Sequence, residues 1–218
     1  MHESKLEKAL KRLKHILPLK ERQEECSQQV KQLHQQMLRS FVTKGRILTK
    51  EEMAQYVSNL DDAINTLRKK ELVVFSNDGD PIGAYPFTME EREHKVEVNG
   101  HQVFAMCALD ALAISPMFDM KTQITSQCRI TNAPVNLQQS GMVIDNLDET
   151  DELHVGIHWG AANADSSCAD SLCMEMMFLC DNKTAQKWLA DNAEAREIFI
   201  LHDAIEFASE FFVPVISS

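Results

Sequence analysis

Apolar residues recur along this chain with two different periods. In residues 4–17, Leu6, Leu10, Leu13 and Leu17 fall on one stripe at helical spacing, and Pro18 stops the run. A second helix is predicted over 19–42, with Cys26, Val30, Leu33, Met37 and Phe41 inward and a basic, Gln-rich face in solvent. Gly45 ends it, the Thr49 to Glu52 capping box opens another, and a further helix runs from 58 or 59 to 70. Period two then takes over. Residues 72–75 and 82–87 are predicted as a hairpin around Asp78-Gly79, and 95–98 pairs with 102–106 across Asn99-Gly100. Strands are also predicted over 122–128, 135–137, 141–144 and 153–159, the last preceded by an acidic loop at 145–152. His154 and His158 alternate there with Val155 and Ile157, as a solvent-facing side would. After a polar loop at 160–171 carrying Cys168, the run 172–179 is read as a strand because it is short and bounded by loops. That places Leu172, Met174, Met176 and Phe178 on one face, and Cys173 and Glu175 on the other. A helix at 184–195 anchored by Trp188 and Leu189, a buried strand at 198–201 and a helix at 203–212 complete the chain.

This order is α+β: an N-terminal helical extension (1–43), a winged-helix-like domain (44–88) and a mixed strand and helix domain (95–218). The third helix of the winged-helix-like unit would be the one to enter a DNA groove, yet it opens with Asp61 and Asp62, which would face phosphates. The formal net charge of −11 points the same way, so no nucleic-acid partner is expected and the module is read as structural or substrate-covering. The first forty residues are the exception, with basic residues outnumbering acids. A charged opening without an apolar signal core, and the lack of any bilayer-length apolar run, predict a cytoplasmic protein with no membrane partner. Six cysteines in that compartment are read as reduced: core residues, ligands or nucleophiles.

The segment that carries chemistry is 103–117, where an apolar strand passes into a helix at Cys107. Unpaired N–H groups and the helix dipole at that point favour a thiolate, and Asp110 lies three residues on, on the same face. Read blandly, Cys107 is a small core residue and Asp110 a first-turn cap. Cys107, Asp110 and Cys173 together suit a soft, thiophilic metal with two-sulfur coordination, since no Cys-x-x-Cys pair offers a tetrahedral zinc site. Cys26, Cys168 and Cys180 are read as packing or incidental, with Cys168 close enough to Cys173 in sequence to assist product transfer. A Cys-His hydrolase based on His101, His158 or His202 has no feature that selects its base.

Four blocks in one order, at 104–112, 126–135, 171–178 and 184–188, resemble the organomercurial (alkylmercury) lyases. The similarity extends back through Lys44-Gly45-Arg46 and forward to the last helix, covering roughly 35–215, while residues before about Lys31 lack a clear counterpart. The resemblance implies that Cys107 and Cys173 are the catalytic thiols, Asp110 the proton-handling carboxylate and Cys128 a structural cysteine. Protonolysis of a carbon–mercury bond would give a hydrocarbon and Hg(II), with no permanently bound cofactor. External low-molecular-weight thiols, or a mercuric reductase, would take the product. Two departures, Met106 where the family often has Trp before Cys107 and Met174 where a second cysteine can follow Cys173, bear on substrate range. Two other readings use the same residues: a non-catalytic soft-metal (mercury or copper) binding or delivery protein, and a winged-helix metal or redox sensor.

Overall fold

Residues 3–147 and 150–217 are described by this computed structural model. Asp148 and Glu149 of the acidic loop lie outside them. The N-terminal stripe is α1 (Lys5–Ile16), opened by a capping box between Ser4 and Glu7. The long second helix expected over 19–42 is in fact two, α2 (Leu19–Glu24) and α3 (Gln28–Lys44). Ser27 causes the break, since its hydroxyl accepts from Val30 N and caps α3, an alternative that serine offers the backbone in place of continued helix. Cys26 consequently sits in the break, half-buried, with its thiol donating to Arg22 O. Val30, Leu33, Met37 and Phe41 face inward as expected. Gly45 closes α3 with φ 67°, and α4 (Lys50–Met53) and α5 (Leu60–Lys69) follow, with Asp61 and Asp62 exposed.

The predicted hairpin forms from β1 (Val74–Phe75) and β2 (Pro81–Ala84), but its second arm is cut at the cis Tyr85-Pro86 bond, and β3 (Phe87–Thr88) returns along β2. Proline has no N–H for a ladder, so the strand does not continue through it. Gly83 lets the two arms close: a Cβ there would lie 2.6 Å from Phe87 O and 2.9 Å from Met106 Cε. Gly83→Ala is therefore expected to lower stability by about 1–3 kcal/mol in denaturant titrations, with the cost falling on the backbone contact.

These strands do not stand apart as a wing. They join β4 (His94–Val98), β5 (His101–Ala105), β6 (Lys121–Gln127), β7 (Pro134–Ser140) and β8 (Val143–Ile144) in one antiparallel sheet ordered β1-β2-β3-β5-β4-β6-β7-β8. Strands β6 and β7 alternate buried and exposed residues, one face being packed and the other wet. On the packed face lies α6 (Ala108–Phe118), which is buried around nearly its whole circumference, as an apolar helix at the centre of a core must be.

A second sheet, β10 (Met176–Leu179), β9 (His154–His158) and β11 (Arg196–Ile200), has β9 in the middle. Contrary to the alternation reading, His154 is buried, because β9 is flanked by strands and packed on both faces; its Nδ1 hydrogen-bonds Glu152 O. α7 (Asn182–Ala190) is shorter than predicted and is capped by Asp181. α8 (Leu201–Ile216) is longer and packs along α6 and α1. Gln23 ties α2 to this helix by donating to Val215 O, and Lys5 ties α1 to Ile198 O.

Candidate functional site

Cys107 is the N-cap of α6. Its backbone is extended at the end of the β5 segment, and its sulfur accepts a hydrogen bond from Asp110 N at 3.3 Å. Asp110 is thus not the cap of this helix: the thiol caps, and the carboxyl projects from the first turn into the core, 1% exposed. The expected strand over 172–179 is corrected. Only β10 is extended, and Leu172–Glu175 is a 3-10 turn in which Met174 N donates to Ser171 O. The two-faced assignment fails with it, since Leu172 and Cys173 are both buried and Met174 points outward. The turn matters chemically. On a strand, residues three apart face opposite sides, whereas here Cys173 and Met176 both converge on Cys107, whose thiol lies 3.7 Å from Met176 Sδ. The ligand atoms of Cys107, Asp110 and Cys173 all lie within 4.8 Å of one another.

Two arginines hold the turn from outside. Arg92 donates to Ala169 O and Met174 Sδ, and Arg129, braced by Glu93, donates to Met174 O. A third cysteine, Cys168, sits 3.6 Å from Cys173 Sγ on the preceding 3-10 turn, Cys168–Asp170, and Tyr85 accepts from Ala169 N beside it. Cys128 is elsewhere, buried in the turn after β6, where its N–H and C=O bond Ala133 and Asn132.

Burial decides the protonation of the site. It drives the Asp110 carboxyl up to about 7, against the pull of the Cys107 thiol and the Arg92 charge. One carboxyl oxygen, Oδ2, is buried without a hydrogen-bond partner. The Cys107 thiol is pushed up to about 11, so the thiolate expected from the helix start is overruled by desolvation and by the neighbouring Asp110 charge. Cys173 is raised well above an ordinary thiol by hydrogen bonding to Cys107 and Cys168 and by burial. The thiols of the site therefore hold their protons, and a metal that replaces those protons releases them.

The cavity at these groups is about 10 Å³, roughly what one water needs. Leu13 and Leu17 from the end of α1, and Phe211 and Phe212 from α8, close it. None of these four, nor Met176 or Tyr85, is marked in the sequence as a site residue; each reads as helix or strand core. Among the described residues the other cluster with metal-ligand types, His202, Asp203 and Glu206, is on the surface at the start of α8.

Buried sulfurs gathered around one buried carboxyl form a donor set suited to soft, thiophilic metal compounds. The alkylmercury lyase family model (MerB) matches residues 87–213, more than half of the chain, and the chain belongs to that family of enzymes. Similar proteins include an alkylmercury lyase of Streptomyces lividans, 22% identical over 158 residues, covering 72% of each chain. Another, from Bacillus cereus, is 24% identical over 170 residues, 78% of this chain and 76% of that one. In fold, the chain is similar to the crystal structure of the mercury-bound form of MerB2, with TM-score 0.72 and 18% identity over 91% of this chain and 98% of the other.

Proposed function

We propose that this lyase breaks carbon–mercury bonds of small organomercurials by protonolysis, with Cys107 and Cys173 as the mercury ligands and Asp110 as the proton carrier. The observation that carries the proposal is the approach of these three ligand atoms to within 4.8 Å inside an apolar enclosure. The reaction balances without redox chemistry. Two thiols give up two protons and bind mercury; one proton leaves with the displaced counter-ligand and the other ends on carbon, as hydrocarbon. Thiolate donation makes the metal electron-rich, and a carboxyl titrating near 7 can accept the second thiol proton and deliver it to the carbanion-like leaving group. A mere carrier of soft metal would gain nothing from Asp110, whose burial costs stability at neutral pH. Purified protein incubated with phenylmercury and excess thiol should release benzene; mercury binding without benzene would favour the carrier.

Substrate enters only when the cover over the cavity moves, because an organomercurial exceeds the space of one water. The N-terminal extension, whose Leu13 and Leu17 close the cavity, serves in this reading as substrate cover together with the winged-helix-like part (44–88), and Met106 and Met174 shape the range accepted. No permanently bound cofactor takes part, and Hg(II) passes to low-molecular-weight thiols or a mercuric reductase. Among the described residues no helix is long and apolar enough to cross a membrane; the proposed setting is the reducing cytoplasm. The exposed Asp61 and Asp62 at the start of α5 predict no sequence-selective binding to duplex DNA in mobility-shift assays, even at low salt, where electrostatic binding is strongest. A selective, salt-sensitive shift would favour the sensor reading.

A further inference from the structure

We propose that Cys168 is a third mercury-binding thiol, the relay through which Hg(II) passes from the interior to an external thiol. This rests on the assignment of Cys107 and Cys173 as the mercury-holding pair. Mercury moves between thiols by ligand exchange, in which the incoming sulfur bonds the metal before the outgoing one leaves. An external thiol therefore has to reach the metal itself. The interior pair offers no such approach, Cys107 being 1% and Cys173 3% exposed behind a cavity of about 10 Å³.

Cys168 is itself only 6% exposed, but it alone among the cysteines borders both spaces. It lines that inner cavity together with Cys107 and Cys173, and it lines a surface cleft of about 440 Å³. The cleft is lined by Asn163, Ser166, Ser171 and His15 and by the Arg22–Glu71 ion pair, polar groups suited to a small, polar thiol. Its sulfur lies 3.6 Å from Cys173 Sγ, so mercury bound by Cys173 is one short movement from it.

The exchange balances step by step. Cys168 loses its proton as its bond to mercury forms, and Cys107 takes up a proton as its own bond breaks. Mercury is then held by Cys173 and Cys168. One external thiol, entering from the cleft, displaces Cys173 in the same way, and a second displaces Cys168. No oxidation state changes.

The test uses the full chain loaded with one equivalent of inorganic mercuric ion and then mixed with excess monothiol, with the ultraviolet mercury–thiolate absorption followed by stopped flow. In Cys168→Ser and Cys168→Ala proteins, release should slow by at least about tenfold more than single-turnover cleavage of phenylmercury slows in the same preparations, because an attacking thiol has been removed from the exchange path. Parental release rates in both variants would overturn the relay, as would a loss of cleavage as large as the loss of release, which would place Cys168 in bond breaking instead. Failure of the underlying pair is read separately: Cys107→Ser and Cys173→Ser proteins that hold Hg(II) as tightly as the parent would sink the pair, and the relay with it.

Discussion

An Asp110→Asn protein is expected to bind mercuric ion through its two thiols, yet to cleave phenylmercury at least about 100-fold more slowly, the usual worth of a general acid–base group. Asn has the shape of Asp but no proton to give or take near neutrality. The same variant should be more stable than the parent in alkaline buffer. The native carboxyl titrates near 7 and an unfolded one near 3.8, so the native state holds the extra proton between those values. Stability contributed at low pH is lost as pH rises from about 4 to about 7, at 1.36 kcal/mol per unit at most, and then levels off. Chemical unfolding at pH 8 should therefore find Asp110→Asn more stable by up to roughly 4 kcal/mol, and at pH 4 nearly unchanged. A variant that is slower and also less stable at pH 8 would mean that Asp110 holds the fold together; one that cleaves at the parental rate would remove it from the chemistry. The cap reading of Asp110 is already excluded, because Cys107 performs that task.

Replacing either Cys107 or Cys173 by Ser is expected to abolish turnover, to below about one-thousandth of the parent, since hydroxyl oxygen is a poor ligand for a soft metal. Cys107→Ser keeps a capping oxygen at the start of α6, so its fold should survive and the loss can be assigned to chemistry. Cys26→Ser serves as control: that thiol bonds only the carbonyl of Arg22, in the break between α2 and α3, and turnover should be unaffected. Steady-state hydrocarbon release, with circular dichroism on each protein, checks all three. Full activity in Cys173→Ser would dissolve the pair.

What the sequence revealed of this site was its local part. Cys107 and Asp110 are three residues apart at a strand-to-helix change, and both the change and the spacing are written in neighbouring residues. Cys173 was legible as a participant through the resemblance but not in its geometry. The alternation from Leu172 to Leu179 imitates a strand, and the turn begins at Ser171, whose backbone (φ −131°, ψ −93°) has no marker in its side chain. The break at Ser27 was hidden for a related reason, an N-cap serine inside an otherwise unbroken helical stripe. Burial of His154 and closure of the cavity by Leu13, Leu17, Phe211 and Phe212 depend on which elements meet across the chain, and no local period encodes that. The sequence shows the helix start that favours a thiolate at Cys107 but not the completeness of burial that keeps the thiol protonated.

The most direct test of the central claim is a single turnover of stoichiometric phenylmercury in heavy water, with the benzene analysed by mass spectrometry and the protein-bound mercury by its thiolate absorption. Protonolysis by exchangeable thiol and carboxyl hydrogens predicts one deuterium in each benzene and one Hg(II) retained per chain by the parent protein. Benzene without deuterium, or mercury retained with its phenyl group still attached, would contradict it.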